Sequence, residues 1–531
     1  MGFETPFISP EVCNLNQLGF LTVVYAVVLY QASNLIASGS ELLLLVPPVA
    51  GLVGSIVLPI LGAVPDGMMV LFSGLGPDAQ NQVSVGVGAL AGSTVMLLTF
   101  PWFIAIMFGR VPIGQGGKAM YGSEDGSEAK VSCLSTGISI SPEIRSGAKV
   151  MLMTTALFAV IQVPATLAEQ MGLDTKEQAN MENRWAFIGL IGCAVAFVGY
   201  LIYCYLDANE DKQLAAVIAG VKSRKISIGA ALRFAKNTSG STTPSGGHAE
   251  PLVPKDQKRL KAILKPFFAY YDDDRSGTLS TGELKHLLAD LGLSSDGDAA
   301  VSMMRDADTN GDGEVSFEEF CRHLTTNFLL NDDALNKTPS SDKKYLPAYD
   351  DDDEEEEMPE DLADLSPAQQ LRRVVMRSFW MMSLGTAMVL VFSDPMVDVL
   401  GEWGKRLDIS PFYISFVLAP FASNASELLA AYSYAVKKSE KSITTSLSTL
   451  IGAACMNNTF CLGIFLGLVY CKKLAWQFTA ETVAMVVIQW IIGFVTIVNT
   501  THTVTKACMI LSCYPGCLLL VWFFENILMW D

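Results

Sequence analysis

The sequence lacks the features that mark several common classes of protein. Its 11 cysteines show no spacing typical of a disulfide scaffold, its four histidines form no ligand-like pair, and no hydrolase or kinase constellation occurs. No basic segment precedes the first apolar run, so we expect no cleaved signal peptide of the usual type. Positive charge is also scarce, with 36 Lys and Arg against 54 Asp and Glu, and the acidic excess lies in the middle of the chain. We therefore expect neither an enzyme nor a nucleic-acid-binding protein.

Apolar residues, in contrast, are abundant. They make up 50% of the 531 residues, and several apolar runs approach the roughly 20 residues that cross a bilayer as a helix. The sequence predicts an all-α, multi-pass membrane protein with about ten transmembrane helices, five in each half, and a soluble segment between the halves. These helices are predicted at about 16–38, 46–75, 82–108, 149–170, 185–206, 377–400, 408–435, 443–470, 475–498 and 504–526.

Two of these apolar stretches, one in each half, carry a single carboxylate. Asp66 is the one ionisable side chain in residues 46–75, and Glu427 is the one in residues 417–431. An acid at membrane depth costs roughly 2.5 to 3.5 kcal/mol on insertion scales, so it is usually retained for a function. A glycine and a proline beside Asp66 also interrupt its helix, which is tolerated at that depth where the freed backbone lines a cavity. We predict a cation site here; the alternative is an acid at a helix end.

The two acidic stretches belong to an internal repeat. Asp66 and Glu427 are 361 residues apart, and Gly92 and Gly452, in the small-residue helix that follows each acid, are 360 apart. Two diverged copies of one unit indicate a transporter built from repeats. Because each half has an odd number of helices, the second half is predicted to enter the membrane upside down relative to the first.

The strongest local motif lies in the polar region between the halves. Residues 272–283, DDDRSGTLSTGE, and 308–319, DTNGDGEVSFEE, carry the oxygen-bearing side chains of a calcium loop, with glycine at position 6 and glutamate at position 12. The loops start 36 residues apart, as in a paired EF-hand. The predicted Ca²⁺ ligands are Asp272, Asp274, Ser276, Thr278, Glu283, Asp308, Asn310, Asp312, Glu314 and Glu319.

Composition and charge predict the domain organisation. Basic residues near helix ends are more numerous on the side of the central region, so the positive-inside rule places the EF-hands in the cytosol and both termini on the opposite side. The predicted segments are a first transmembrane half at about 1–208, a flexible linker at 209–258, the EF-hand pair at 259–328, an acidic disordered linker at 329–370 and a second transmembrane half at 371–531.

The acidic repeats resemble the alpha-repeats of the calcium/cation antiporter superfamily, and the whole chain resembles the plant-type sodium/calcium exchanger-like proteins with a central EF-hand pair. This resemblance implies a transport site at Asp66, Glu427, Ser93, Asn424 and Asn457. Many sodium-coupled relatives place Asn or Asp about 27 residues after each acid, where this chain has Ser93 and Ala454. The resemblance therefore leaves both Na⁺ and H⁺ open as the counter-ion.

The leading interpretation is an antiporter that moves cytosolic Ca²⁺ in exchange for Na⁺ or H⁺ and is regulated by Ca²⁺ bound to the EF-hands. Its predicted partners are the lipid bilayer and inorganic cations, and the sequence leaves protein partners open. A calcium-gated cation channel and a membrane-anchored calcium sensor are the alternatives. The plasma membrane and a vacuolar or other endomembrane are both compatible with the sequence.

Overall fold

The computed structural model describes residues 7–44, 57–76, 79–114, 119–121, 135–222, 254–272, 276–290, 297–325 and 367–530. The chain divides into two compact units, one formed by Met1–Tyr205 with Met358–Asp531 and the other by Leu206–Glu357. Residues 223–253 of the predicted flexible linker and 329–366 of the predicted acidic linker lie outside the described residues, as does Asp274.

The first half consists of long helices and one broken helix. After a short 3₁₀ turn at Pro10–Val12, its helices are α1 (Leu15–Leu44), α2 (Leu58–Gly62), α3 (Val64–Ser73), α4 (Ala79–Gly109), α5 (Pro142–Gln170) and α6 (Thr175–Lys222). Two short strands, β1 (Val111–Pro112) and β2 (Thr136–Ser139), lie between α4 and α5.

The unit between the halves has the helix and strand order of a paired EF-hand. Its elements are α7 (Pro254–Tyr271), β3 (Thr278–Leu279), α8 (Thr281–Asp290), α9 (Gly297–Ala307), β4 (Val315–Ser316) and α10 (Phe317–Leu324). Strands β3 and β4 pair antiparallel, with Leu279 opposite Val315. Phe267 and Phe320 are almost fully buried in an apolar core of this unit, where the apolar faces of its helices meet.

The second half repeats the pattern of long and broken helices. Its elements are α11 (Pro367–Leu407), α12 (Pro411–Ser423), α13 (Ala425–Val436), α14 (Glu440–Met456), a π-helical segment (Asn457–Cys461), α15 (Leu462–Lys472), α16 (Thr479–Val498), β5 (Thr501–Thr503) and α17 (Val504–Asn526). Helices α12 and α13 form one span that bends by 56°.

These helices match the predicted membrane architecture. Within the described residues, eight helices are long and apolar enough to cross a bilayer, and the bent pair α12–α13 makes a ninth span. The broken pair α2–α3 is the described part of the helix predicted at 46–75, and residues 46–56 lie outside the described ranges. The fold is therefore that of a multi-pass membrane protein with two inverted five-helix repeats and an EF-hand pair inserted between them.

Several predicted boundaries were wrong. Helix α5 begins at Pro142 instead of 149, and α11 extends over Pro367–Leu407 instead of 377–400. Helix α6 continues to Lys222, so the beginning of the segment predicted as a flexible linker at 209–258 is helical. Hydropathy marks only the part of a helix that lies in the bilayer, and these helices continue as polar segments beyond it.

Helix α4 lies at the centre of the membrane unit because its small residues allow other helices to approach closely. A Cβ atom added to Gly88 would lie 2.5 Å from the carbonyl oxygen of Phe412, and one added to Gly92 would lie 2.3 Å from that of Phe416. Helices α4 and α12 are thus in backbone contact, as small residues spaced by four permit in membrane helices. This contact joins the two repeats.

A small sheet, which the all-α prediction missed, also joins the two halves. Strand β2 pairs antiparallel with β1 on one side and with β5 on the other, in the order β1-β2-β5. His502 of β5 is buried and accepts a hydrogen bond at Nδ1 from Trp102 Nε1 (3.2 Å), and burial lowers the pKa of His502 to about 4. A neutral histidine is therefore part of this contact.

Candidate transport site and EF-hand loops

The two membrane acids occupy equivalent positions in the two broken helices. Asp66 is the third residue of α3 and Glu427 is the third residue of α13. The residues at the breaks, Ala63 and Asn424, are also 361 apart. Pro65 lies at the start of α3, where a missing N–H is tolerated. Each carboxylate is thus in a first helical turn, where unpaired backbone N–H groups and the helix dipole favour negative charge.

Asp66 lies in a hydrogen-bond network contributed by both repeats. Ser93 Oγ donates to Asp66 Oδ1 (2.9 Å), and Asn457 Nδ2 donates to Asp66 Oδ2 (3.4 Å). Asn424 Nδ2 in turn donates to Ser93 Oγ (2.9 Å) and to Ser423 Oγ (3.1 Å). All five side chains are buried, and Asp66 is only 2% exposed. The structure therefore brings together four of the five predicted site residues, and adds Ser423, which sequence reasoning missed.

Glu427 lies outside this network. Its side chain is partly buried, and its Oε2 accepts a hydrogen bond from Ser426 Oγ (2.8 Å). Among the described residues, no direct hydrogen bond links Glu427 with Asp66. Its position in the repeat matches that of Asp66, but its surroundings do not.

The π-helical segment directs two neighbouring amides to opposite sides. Asn457 faces Asp66, whereas Asn458 Nδ2 donates to Thr154 Oγ1 on α5 (3.1 Å) and to Gln489 Oε1 on α16 (2.8 Å). A π turn inside an α-helix is frequent at functional sites because the extra residue re-aims the side chains. The sequence predicted Asn457 as a site residue, but it gave no signal for the π turn.

Cys461, at the end of the π segment, fixes the orientation of the Asn457 amide. Its thiol lies 3.4 Å from Asn457 Oδ1, to which it donates a weak hydrogen bond, while Asn457 Nδ2 faces Asp66 and Thr94 Oγ1 (3.2 Å). The amide oxygen is thus turned away from Asp66. A carboxylate with hydroxyl and amide groups around it offers the hard oxygen ligands that Ca²⁺ and Na⁺ prefer, provided that the amide turns its oxygen inward.

The second EF-hand loop has the local geometry that its motif predicts. Asp308 accepts hydrogen bonds from the backbone N–H groups of Gly311 (2.6 Å) and Gly313 (2.9 Å), and both glycines have positive φ angles, of 78° and 85°. Asn310 Oδ1 accepts from the N–H of Asp312 (2.9 Å). These side-chain oxygens gather in one tight turn, as a Ca²⁺ site requires.

The closing glutamate of this loop is held by the loop itself. Glu319 Oε1 accepts hydrogen bonds from Thr309 N (2.9 Å) and Thr309 Oγ1 (2.8 Å), and Oε2 accepts from Ser316 N (3.0 Å) and Ser316 Oγ (2.7 Å). The Ser316 bonds, followed by those of Thr309, lower the pKa of Glu319 to about 2. The carboxylate therefore stays ionised and available as a ligand even in moderately acidic solution.

The first loop follows the same plan in its described part. Asp272 accepts from the N–H groups of Ser276 (2.9 Å) and Gly277 (3.0 Å), and Glu283 Oε2 accepts from Ser280 N (2.8 Å). The side chains of the two position-7 residues bond across the pair, since Thr278 Oγ1 donates to Glu314 Oε2 (2.5 Å). In a calcium loop the residue at position 7 binds the ion through its backbone carbonyl oxygen. The bond between the two side chains therefore does not occupy a Ca²⁺ ligand. The residues of both loops fit Ca²⁺.

Comparisons with known proteins identify the family of the chain. Residues 377–523 match the family model of the sodium/calcium exchanger protein, and residues 262–325 match that of the EF-hand domain pair. The sodium/calcium exchanger NCL1 of Oryza sativa subsp. japonica is 30% identical over 98% of this chain and 86% of its own length. The chain belongs to the sodium/calcium exchanger family. This confirms the resemblance inferred from the acidic repeats and the EF-hand loops.

One further relative of this exchanger-family protein and one solved structure align with nearly the whole chain. The sodium/calcium exchanger NCL of Arabidopsis thaliana is 27% identical over 98% of this chain and 87% of its own length. The crystal structure of the H⁺/Ca²⁺ exchanger CAX aligns with 96% of this chain and 85% of its own at 10% identity, with a TM-score of 0.44. Membership of the family and the apolar helices make the protein an integral membrane protein.

Proposed function

We propose that this exchanger-family protein moves Ca²⁺ out of the cytosol in exchange for Na⁺ or H⁺, at a site that contains Asp66 and Glu427. One observation carries the proposal: each acid is the third residue of the second segment of a broken membrane helix, in both repeats. Ser93, Asn424 and Asn457 supply further polar atoms at Asp66. The names of the relatives, which are exchangers of sodium and calcium, support the same cargo.

The charge of the site supports coupled exchange. Two carboxylates are neutralised by one Ca²⁺, by two Na⁺ or by two protons, so the cargo ions compete for the same ligands. An empty pair of charges is costly in the low dielectric of the membrane interior, which disfavours crossing without an ion. Occupancy by one ion type at a time therefore links the two flows.

The counter-ion can be tested directly. Vesicles that contain the purified protein take up radioactive Ca²⁺ under an imposed Na⁺ gradient and, separately, under an imposed pH gradient. Uptake that depends on one of these gradients identifies the counter-ion. Uptake that is equal with and without either gradient would contradict exchange and indicate a channel.

Regulation by the EF-hand unit is the second part of the proposal. The described loop residues hold a complete set of oxygen ligands apart from Asp274, and Glu283 and Glu319 are engaged by their own loops. Ca²⁺ coordination competes with these hydrogen bonds, so loading changes the contacts of both closing glutamates. A change in loading can then alter the helices that lead out of the loops, as in calcium sensors.

A further inference from the structure

An apolar groove on the surface of the membrane unit lies directly behind the helix that carries Asp66. It has a volume of about 520 Å³ and lies between α3, α6 and the helix formed by the π segment with α15. Helix α6 contributes one face to it, with Leu190, Cys193, Ala194 and Phe197 at the spacing i, i+3, i+4 and i+7. Only 17% of the apolar part of α6 is buried within the protein. This helix therefore lies on the outside of the membrane unit, where it is exposed to lipid.

The groove has the length and the surface of a hydrocarbon chain. The opposite wall runs from Phe460 to Lys472, a separation of 12 residue steps, which corresponds to about 18 Å at 1.5 Å per helical residue, or more than half of the hydrocarbon core. Gly463 and Gly467 form its floor, because α15 approaches α6 closely at these two positions. A Cβ on Gly463 would lie 3.3 Å from Cys193, and one on Gly467 would lie 3.9 Å from Leu190. At one end the rings of Phe197 and Phe460 are 5.6 Å apart and close it.

The other end of the groove is positively charged. Lys472 lines it and donates from Nζ to the carbonyl oxygen of Leu75 (3.3 Å), and Lys473 follows in a left-handed conformation that ends α15. Both lysines are exposed, and neither forms an ion pair with another described residue. Lysines at a helix end reach the level of the lipid headgroups, where the ammonium group forms charge-assisted hydrogen bonds with a lipid phosphate.

We propose that this groove binds one anionic phospholipid, with an acyl chain along Gly463 and Gly467 and the phosphate at Lys472 and Lys473. At its inner end the groove is separated from α3, the helix that carries Asp66, by the side chain of Phe460. A Cβ on Gly67, the residue after Asp66, would lie 3.0 Å from the ring of Phe460 and 3.1 Å from Ile464. The bound chain therefore supports α3 from behind, whichever ion is exchanged.

Two variants of the full-length protein test the two ends of the groove. Gly467→Leu places a side chain in the path of the acyl chain, and the double variant Lys472→Gln with Lys473→Gln removes the charge. Native mass spectrometry of the purified protein, titrated with phosphatidylglycerol or with phosphatidylcholine, counts the bound lipids. We expect wild type to retain one phosphatidylglycerol, Gly467→Leu to lose it, and the lysine variant to bind it about 30-fold more weakly, or about fivefold per lysine.

The chain offers matched controls for both variants. Gly199→Leu adds the same side chain to α6 at a site where a Cβ meets no atom within 4 Å, and Lys176→Gln removes an exposed lysine that does not line the groove. Both are expected to retain the lipid. Equal retention by wild type, Gly467→Leu and the lysine variant would overturn the proposal, as would equally tight binding of phosphatidylcholine by wild type.

Discussion

The contact between α4 and α12 makes a quantitative prediction about Gly92. Replacing Gly92 by alanine places a Cβ 2.3 Å from the carbonyl oxygen of Phe416 and 2.8 Å from its Cα, and both are backbone atoms that cannot rotate away. An ordinary contact of 3.4 Å requires the two helices to separate by about 1 Å. Overpacking of this kind typically costs about 1 to 3 kcal/mol of stability.

This separation acts on the transport site because the two helices carry facing parts of it. Ser93 is the residue after Gly92, and Asn424 follows the end of α12, with Asn424 Nδ2 now 2.9 Å from Ser93 Oγ. An additional 1 Å or so takes this pair beyond hydrogen-bond length and loosens the Ser93 bond to Asp66. A displacement of about 1 Å in a site can cost about 100-fold in rate, which is the loss we expect for Gly92→Ala.

Gradient-driven Ca²⁺ uptake into vesicles measures this loss, with the amount of inserted protein determined on the same vesicles. Gly516→Ala is the control, because it adds the same methyl group to α17, at a position where a Cβ meets nothing within 4 Å. We expect Gly516→Ala to transport at close to the wild-type rate. A Gly92→Ala protein that inserts normally and transports as fast as wild type would refute the role of this backbone contact.

Three other predictions concern the charged groups. Asp66→Asn and Glu427→Gln are each expected to abolish exchange but to leave insertion unchanged, since they remove the charge that a divalent ion meets; near-normal flux in either variant would sink the site assignment. Glu283→Gln combined with Glu319→Gln is expected to shift the dependence of flux on cytosolic Ca²⁺ and to preserve its maximum; loss of flux at every Ca²⁺ concentration would contradict a regulatory role. The pKa of Glu319, lowered from 4.5 to about 2, adds stability that is complete above about pH 4.5 and is lost as the pH falls towards 2. Thermal unfolding of residues 254–325 without Ca²⁺ is expected to show this dependence, and Glu319→Gln to flatten it; identical pH profiles would count against the hydrogen bonds at Ser316 and Thr309.

The predictions that the sequence carries most directly are those with a local or one-dimensional signal. A single acid in an apolar run marks Asp66 and Glu427 as candidate site residues, whatever the rest of the fold does. The EF-hand loops are equally local, because twelve consecutive residues supply the turn and the ligands. The spacing of 361 residues between the two repeats relates Asp66 to Glu427 from the sequence alone.

What the sequence did not predict depends on contacts between distant segments. The π segment at Asn457–Cys461 is tied by Asn458 to α5 and α16, and its residues alone would continue an α-helix. Strands β1 and β5 have only two and three residues, too few for a periodic pattern. Ser423 next to Asn424 carried a signal that could have been used, as a second polar residue at the break in the helix.

The pairing of β2 with β5 has a consequence for the synthesis of the protein. Ser139 pairs with Thr501, and the two residues are 362 positions apart in the chain. At about 5 to 20 residues per second, a ribosome needs roughly 20 to 70 s to make the second after the first. For that time one edge of β2 has no partner, and an unpaired edge can join any other extended segment. The first half of the protein must therefore wait in the membrane with this edge open until nearly the whole chain has been made.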